Sequence, residues 1–294
     1  LNLAEAGDTA LHRIRHVPAN QPPVAQAGPP VAWGPAGVEV VFSSTGSADP
    51  EGAPLGYAWD FGDGTFVSRR SHPTHRFPSQ DVTGLGTIVS RLDELTPPWS
   101  MGLGNPDPEV IRDGVVPPPG SLQPLYQFDT FHFSPPTCLP DKDGEDRIGY
   151  VFDEPLTFTG VQFTEGLHWP PWGGWLEGLG VQVRVNGAWV DVPGMVSVPA
   201  YIGPADPTCE TFELLFEPAT GDGLRLHGAP GGSWEFFSVG ELRVSALAPP
   251  PAGPLDVQVQ LTLTDDLGYA DVETLLVSLD NTPPQVQVLQ PVNG

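Results

Sequence analysis

The chain has 294 residues, 12 basic against 36 acidic side chains, a formal net charge of −24 and 39% hydrophobic residues. So acidic a surface repels nucleic acid and anionic membranes, and no run reaches the ~20 apolar residues of a membrane-spanning helix. The 37 Pro and 35 Gly fall between short apolar runs, which reads as the turns of an all-β protein of about two domains.

Residues 1–19 hold one strand-like run, Leu11 to Val17, in which apolar and basic residues alternate. They are assigned to the end of a preceding domain or to a linker. Residues 20–80 carry a clear two-residue period. Val38, Val40 and Phe42 form one such series, and Tyr57, Trp59 and Phe61 another. Turn signals at Asp49–Gly52 and Gly62–Thr65 separate the runs. About four strands result, too few to bury both faces of a sandwich. The missing strands stand near the other end. Val257, Val259, Leu261 and Leu263 alternate with Gln258, Gln260, Thr262 and Thr264, and a closing run follows at 272–279. Residues 20–80 and 253–281 together make one small sandwich, so residues 81–252 are inserted in it. The insert has its own β series at 149–152, 158–163, 181–185, 188–192, 212–216, 223–226 and 239–245. Asn186-Gly187 marks a hairpin between two of these runs. Residues 282–294 read as the start of a following domain or a linker, and the chain as a piece of a longer protein.

Asn20–Ala25, Ser47–Gly52, the Trp59-Asp60-Phe61-Gly62-Asp63-Gly64 run, Pro73–Phe77 and Leu261–Gly268 resemble the two parts of a PKD (polycystic kidney disease type) domain. In that family a short turn separates the parts, whereas here 175 residues lie between Phe77 and Gly253. Asp146–Phe152, Gly187–Val192, Gly223–Gly232 and Ser238–Val244 resemble the discoidin-like, coagulation factor type C β-sandwiches, which include many bacterial carbohydrate-binding modules. The fold this implies is an Ig-like PKD β-sandwich carrying an inserted discoidin-like jelly-roll β-sandwich. Pro108–Gly114 is loosely similar to the segment that helps hold a structural calcium in those modules. The opening Leu11–Asn20 resembles the end of the propeller in secreted bacterial quinone-dependent sugar dehydrogenases.

The strongest ligand signal is aromatic. The loop Glu165–Trp175 holds Trp169, Trp172 and Trp175 together with His168 and Glu165. A loop between strands lies at the surface, where indole faces stack on the C–H faces of sugars and polar neighbours bond the hydroxyls. Trp169 and Trp172 are expected to be more exposed than Trp175, which directly precedes a strand. Two further stretches, 126–133 with Asp129 and 233–237 with Trp234, are placed to border them. The alternative is that these aromatics cap the end of a sandwich core.

Asn20, Asp49, Glu51, Asp265 and Asp266 fall in turns at one end of the first sandwich. Hard oxygen ligands grouped in this way suit Ca²⁺. The competing reading is turn chemistry, in which Asp accepts from nearby backbone N–H groups. The run 141–146 is taken as a solvated acidic turn. Cys138 and Cys209 both lie in the insert and form one disulfide in an extracellular setting, or two free thiols in a reducing one. No catalytic motif stands out. The expectation is a non-catalytic extracellular module that binds carbohydrate or a cell-surface glycan. A structural or adhesive subunit contacting its own copies or neighbouring surface proteins is the second reading. An accessory region of a secreted sugar-oxidising enzyme is the third.

Overall fold

A computed structural model describes residues 20–29, 31–34, 37–94, 104–134, 139–140, 142, 144–205, 208–249 and 254–279. The run 11–17, the segment 282–294, part of the 249–251 proline hinge and Cys138 lie outside the described residues.

The chain opens with β1 (Val31–Gly34), β2 (Glu39–Val41), β3 (Gly56–Asp60) and β4 (Thr74–Arg76). β1 and β3 share a sheet with the last two strands, β17 (Leu255–Thr264) and β18 (Ala270–Leu279). These two pair in register from Leu255↔Leu279 to Thr264↔Ala270. β17 also pairs with β3, which sets Leu261 opposite Trp59 and Leu263 opposite Tyr57. The sheet order is β1-β18-β17-β3, and β2 and β4 form a separate pair. Period two decides which side chains are buried: Val257, Val259, Leu261 and Leu263 point inward, while Gln258 and Gln260 stay exposed. The inward set packs with Phe42, Trp59, Phe61, Phe77, Leu275, Val277 and Leu279 in one core. That core is therefore built from both sides of the insert.

The insert begins with β5 (Ser79–Asp81) and β6 (Thr87–Ser90), followed by the short strands β7 (Phe128–Asp129), β8 (Phe133–Ser134) and β9 (Leu139–Pro140). Its main strands are β10 (Asp146–Glu165), β11 (Gly180–Val185), β12 (Ala188–Asp191), β13 (Val196–Val198), β14 (Thr211–Leu215), β15 (Ala219–Gly228) and β16 (Ser238–Leu247). The runs 149–152 and 158–163, expected as two strands, are one. Between Val151 and Leu156 the register slips, and Asp153, Glu154 and Pro155 bulge out exposed. The first half of β10 pairs with β15 and β6, and the second half with β14 and β16. The bent strand thus serves both layers of the sandwich. Ile148, Tyr150, Phe158, Phe163, Leu224 and Val244 fill the space between them. The β11–β12 hairpin turns at Asn186 (φ 51°) and Gly187 (φ 81°), the two positive values its two-residue turn requires.

The chain passes into and out of the insert along adjacent strands. β5 pairs with β16 through Ser79↔Leu247, Gln80↔Ala246 and Asp81↔Ser245. Asp81 also accepts from Arg243 Nη2 at 2.6 Å. Residues 79–80, which the sequence assigns to the first sandwich, thus hydrogen-bond to the sheet of the second. β5 has no apolar alternation by which this could be read. The loop after β3 docks on the insert as well. Glu213 accepts from Ser68 Oγ at 2.8 Å and from the Arg69 N–H at 2.7 Å, and Gln162 Nε2 donates to Val67 O at 3.1 Å.

Candidate functional site

β10 ends at Glu165, and the chain then leaves the sheet. The Trp169 N–H donates to Gly173 O at 2.8 Å and the Trp172 N–H to Trp169 O at 2.6 Å, closing a tight turn. Gly174 (φ 110°) closes against Leu167, whose carbonyl oxygen would lie 2.3 Å from a Cβ there. The loop preceding β16 packs against this turn through its backbone. Ser233 N–H donates to Pro171 O at 2.9 Å and Trp234 N–H to Trp172 O at 2.7 Å. These bonds bring two indoles together. Trp172 stacks on Trp234 with centroids 5.1 Å apart and 19° between planes. Trp234 stacks in turn on Phe131 at 5.0 Å, and Phe131 meets Phe236 edge-on at 5.3 Å. The column runs from the interior to Trp172, which is 40% exposed. Lys142 Nζ pairs with Glu235 Oε1 at 2.9 Å beside it. Glu235 has φ 51°, a backbone state that a non-glycine residue adopts only when its surroundings hold it there.

The other expected ligand residues lie deeper. Glu165 is fully buried and its Oε2 lies 3.1 Å from His168 Nε2, with both side chains interior. Trp175 is buried and its Nε1 donates to Glu177 Oε1 at 3.0 Å. Trp169 is half-buried. Asp129 is buried, and it accepts from the Gly104 N–H at 2.8 Å and the Phe131 N–H at 3.2 Å. Glu165, His168, Trp175 and Asp129 therefore lie in the interior of the loops, whereas Trp172 faces solvent. Phe131 and Phe236 were missed as column members. Their stretches are recognisable as aromatic-rich, but only the fold stacks them. Among the described residues Cys209 is a free, buried thiol. Burial, and secondarily the charge of Glu165, push it up to about 11. Its expected partner Cys138 lies outside the described residues.

At the end of the first sandwich, Asn20 Nδ2 donates to Asp265 Oδ2 at 2.5 Å, across 245 positions of sequence. Asp265 Oδ1 accepts from the N–H groups of Leu267 and Tyr269, and Asp49 Oδ1 from those of Glu51 and Ala53. Glu51 accepts from the Gln21 N–H and from Gln21 Nε2, and Asp266 is exposed. Burial raises Asp265, but the hydrogen bonds from Asn20, Tyr269 and Leu267 outweigh it and hold the carboxyl below its ordinary value. Among the described residues no group of three or more His, Cys, Asp or Glu side chains is arranged to hold a metal. A different carboxylate, Glu241, accepts from the Gly114 N–H through one oxygen only. Glu241 is buried and its Oε2 has no hydrogen-bond partner among the described residues. Burial, and next the negative charge of Asp113, push it up to about 7. Asp113 is the next-to-last residue of the Pro108–Gly114 segment, whose Gly114 N–H bonds Glu241.

The Trp-Asp-Phe-Gly-Asp-Gly run occupies the joint between the sandwiches. Trp59 and Phe61 enter the first core, and Asp60 Oδ1 accepts from the Gly62 N–H at 2.9 Å. Asp63 binds Thr65 Oγ1 at 2.7 Å and His75 Nε2 at 2.7 Å. Residues 20–81 match the PKD domain family. The chain is also 36% identical over 63 residues to a microbial collagenase of Vibrio alginolyticus, a match covering 21% of this chain and 8% of that protein. Three solved structures are similar over half of the chain or somewhat more. The family 32 CBM from C. perfringens NanJ, in complex with galactose, is 12% identical, with 57% of this chain and 98% of that one covered and a TM-score of 0.37. A structure of the Streptococcus pneumoniae beta-galactosidase BgaA is 14% identical, with 57% and 94% covered and a TM-score of 0.37. CBM32-1 from a family 31 glycoside hydrolase of Clostridium perfringens is 14% identical, with 50% and 88% covered and a TM-score of 0.30.

Proposed function

We propose that this chain is an extracellular, non-catalytic module that binds carbohydrate through the aromatic column ending at Trp172. The PKD sandwich serves as its spacer within a longer secreted or cell-surface protein. The observation that carries this reading is the exposed Trp172 indole, backed by Trp234 and Phe131. A flat apolar plate held rigid by stacking offers a sugar ring its C–H face contact with little side-chain entropy to lose. The Lys142–Glu235 pair beside it supplies the polar groups that hydroxyls need. The buried Glu165–His168 pair and Asp129 hold the loops that present the plate. Glycan-array screening followed by calorimetry tests the reading. Trp172→Ala should weaken binding by about 30-fold, the loss of roughly 2 kcal/mol typical of a central aromatic anchor. An array without hits, or hits that Trp172→Ala and Trp234→Ala leave unchanged, defeats it.

A structural calcium at Glu241 and Asp113 is part of the same proposal. The ion would neutralise two crowded carboxylates and fix the Pro108–Gly114 segment against β16. The Asn20, Asp49, Glu51 and Asp265 set carries hydrogen bonds of its own, although Asp49 Oδ2 is buried with no hydrogen-bond partner among the described residues.

A further inference from the structure

The outer face of the β12-β11-β15-β10 layer holds a cleft of about 180 Å³. Ile148, Tyr150, Val181, Val183, Leu224 and Leu226 point from this layer into the core. By the two-residue period, their neighbours Arg147, Val151, Arg184 and Arg225 share the opposite face. The register sets Gln182 opposite Arg225 and Arg184 opposite Trp189. Three of the chain's 12 basic residues thus line one small cleft in a molecule of net charge −24. That concentration opposes the charge of the rest of the surface.

Two of the guanidinium groups, those of Arg184 and Arg225, are seen held in place. Arg184 Nε and Nη2 bind Asp222 Oδ1 and Oδ2 at 2.8 and 3.1 Å. Its Nη1 has no hydrogen bond to the described residues. Arg225 Nε donates to Gln182 Oε1 at 2.8 Å, and its guanidinium lies 4.4 Å from the centroid of the Trp189 ring. Trp189 reaches over Gly223, where a Cβ would come within 2.9 Å of its Cη2. Asp93 also lines the cleft, but its Oδ2 is engaged by the Ser90 N–H at 2.6 Å. Fixed guanidinium forks suit an oxyanion, which they bind through paired, charge-assisted hydrogen bonds. The volume lies below the ~300 Å³ at which pockets for drug-sized ligands begin, so it suits one ring or a smaller group.

We propose that this cleft is a second binding site, separate from the Trp172 column, that takes a negatively charged sugar residue by its carboxylate or sulfate. The charge and size of the ligand follow from the cleft; that it is a sugar rests on the carbohydrate reading above. The test is calorimetry on the full chain at low salt with trigalacturonate, a sulfated trisaccharide and neutral galactotriose. At least one anionic ligand should bind, more weakly as salt rises, and which one binds separates carboxylate from sulfate. The double variant Arg147→Gln/Arg225→Gln should lose about tenfold or more of that affinity, and Arg225→Lys, which keeps charge but not the planar fork, should lose less. Trp172→Ala should leave it unchanged. Matching melting curves for each variant exclude a folding defect. Failure of both anionic ligands to bind, or binding that survives the double variant, overturns the proposal. Absence of neutral-sugar binding would count against the Trp172 reading alone.

Discussion

Asp146 and Glu241 are carboxylates that the second sandwich holds in its interior. Burial drives Asp146 up to about 6 against the opposing charge of Arg91, and Glu241 up to about 7. Both folded values lie above the ordinary 3.8 and 4.5. The folded chain therefore keeps protons that the unfolded chain has already released, and stability falls as pH rises from about 4 to 7. Thermal melts in chelator should show the melting temperature dropping across that window, and Glu241→Gln should flatten the upper part of the drop. Calcium should reverse it, raising the melting temperature by several degrees at pH 8, since about 1 kcal/mol moves a domain of this size by ~2–4 °C. At pH 6 its binding should release protons, seen as a heat that depends on the buffer. If Glu241→Gln keeps the full calcium shift, the ion is held elsewhere. Little of this could be read beforehand. Asp146 closes a run of acidic residues that reads as a solvated turn, yet it is fully buried as the first residue of β10 beside Arg91, at 3.6 Å. Burial in the folded sandwich decides the fate of that carboxylate, with Arg91 only partly offsetting it, and local sequence reveals neither.

At the scale of elements, period-two alternation is legible where one face meets water and the other a core, as in β17. It fails where a strand changes layers. β10 contains Asp153-Glu154-Pro155, which reads as a turn, because a bulge and a turn draw on the same residue types. The aromatic column is half legible: Trp172 and Trp234 stand out by composition, but the backbone bonds between residues 171–172 and 233–234 that stack them do not. The arginine cleft is illegible, because residues 147, 184 and 225 meet only through strand register. The docking of the loop after β3 onto β14 makes its own prediction. Glu213 is buried, and burial outweighs its bonds to Arg69 N–H and Ser68 Oγ in raising its carboxyl above the ordinary value. Glu213→Ala would strand both donors at the junction, at a cost of about 1–3 kcal/mol. The expected result is a lower melting temperature and faster proteolysis at residues 66–70. Unchanged proteolysis there would mean that the loop is held by other contacts.

For the whole molecule, the split sandwich follows from counting strands before and after the insert. What counting could not supply is the neck, where β5 and β16 run side by side and make the insert's two connections one paired element. The same arrangement makes the two units unequal in their dependence on the chain. Every strand of the second core lies between Ser79 and Leu247. The first core draws Val257, Val259, Leu261, Leu263, Leu275, Val277 and Leu279 from beyond it. At ~1.5–3 kcal/mol for each buried aliphatic side chain, those seven are worth about 10–20 kcal/mol, as much as the roughly 5–15 kcal/mol by which a domain is stable. A chain ending at residue 249 should therefore keep a cooperative melt and the near-ultraviolet signal of the Trp172–Trp234 column. Its residues 20–78 should be open to protease. Residues 79–249 made alone should melt at a similar temperature, lowered by loss of the Ser68 and Arg69 bonds to Glu213 and of the Gln162 bond to Val67. If the truncated chain instead protects residues 20–78, the first sandwich closes without β17 and β18, and the insert is an appendage of a complete domain, not a passenger within one.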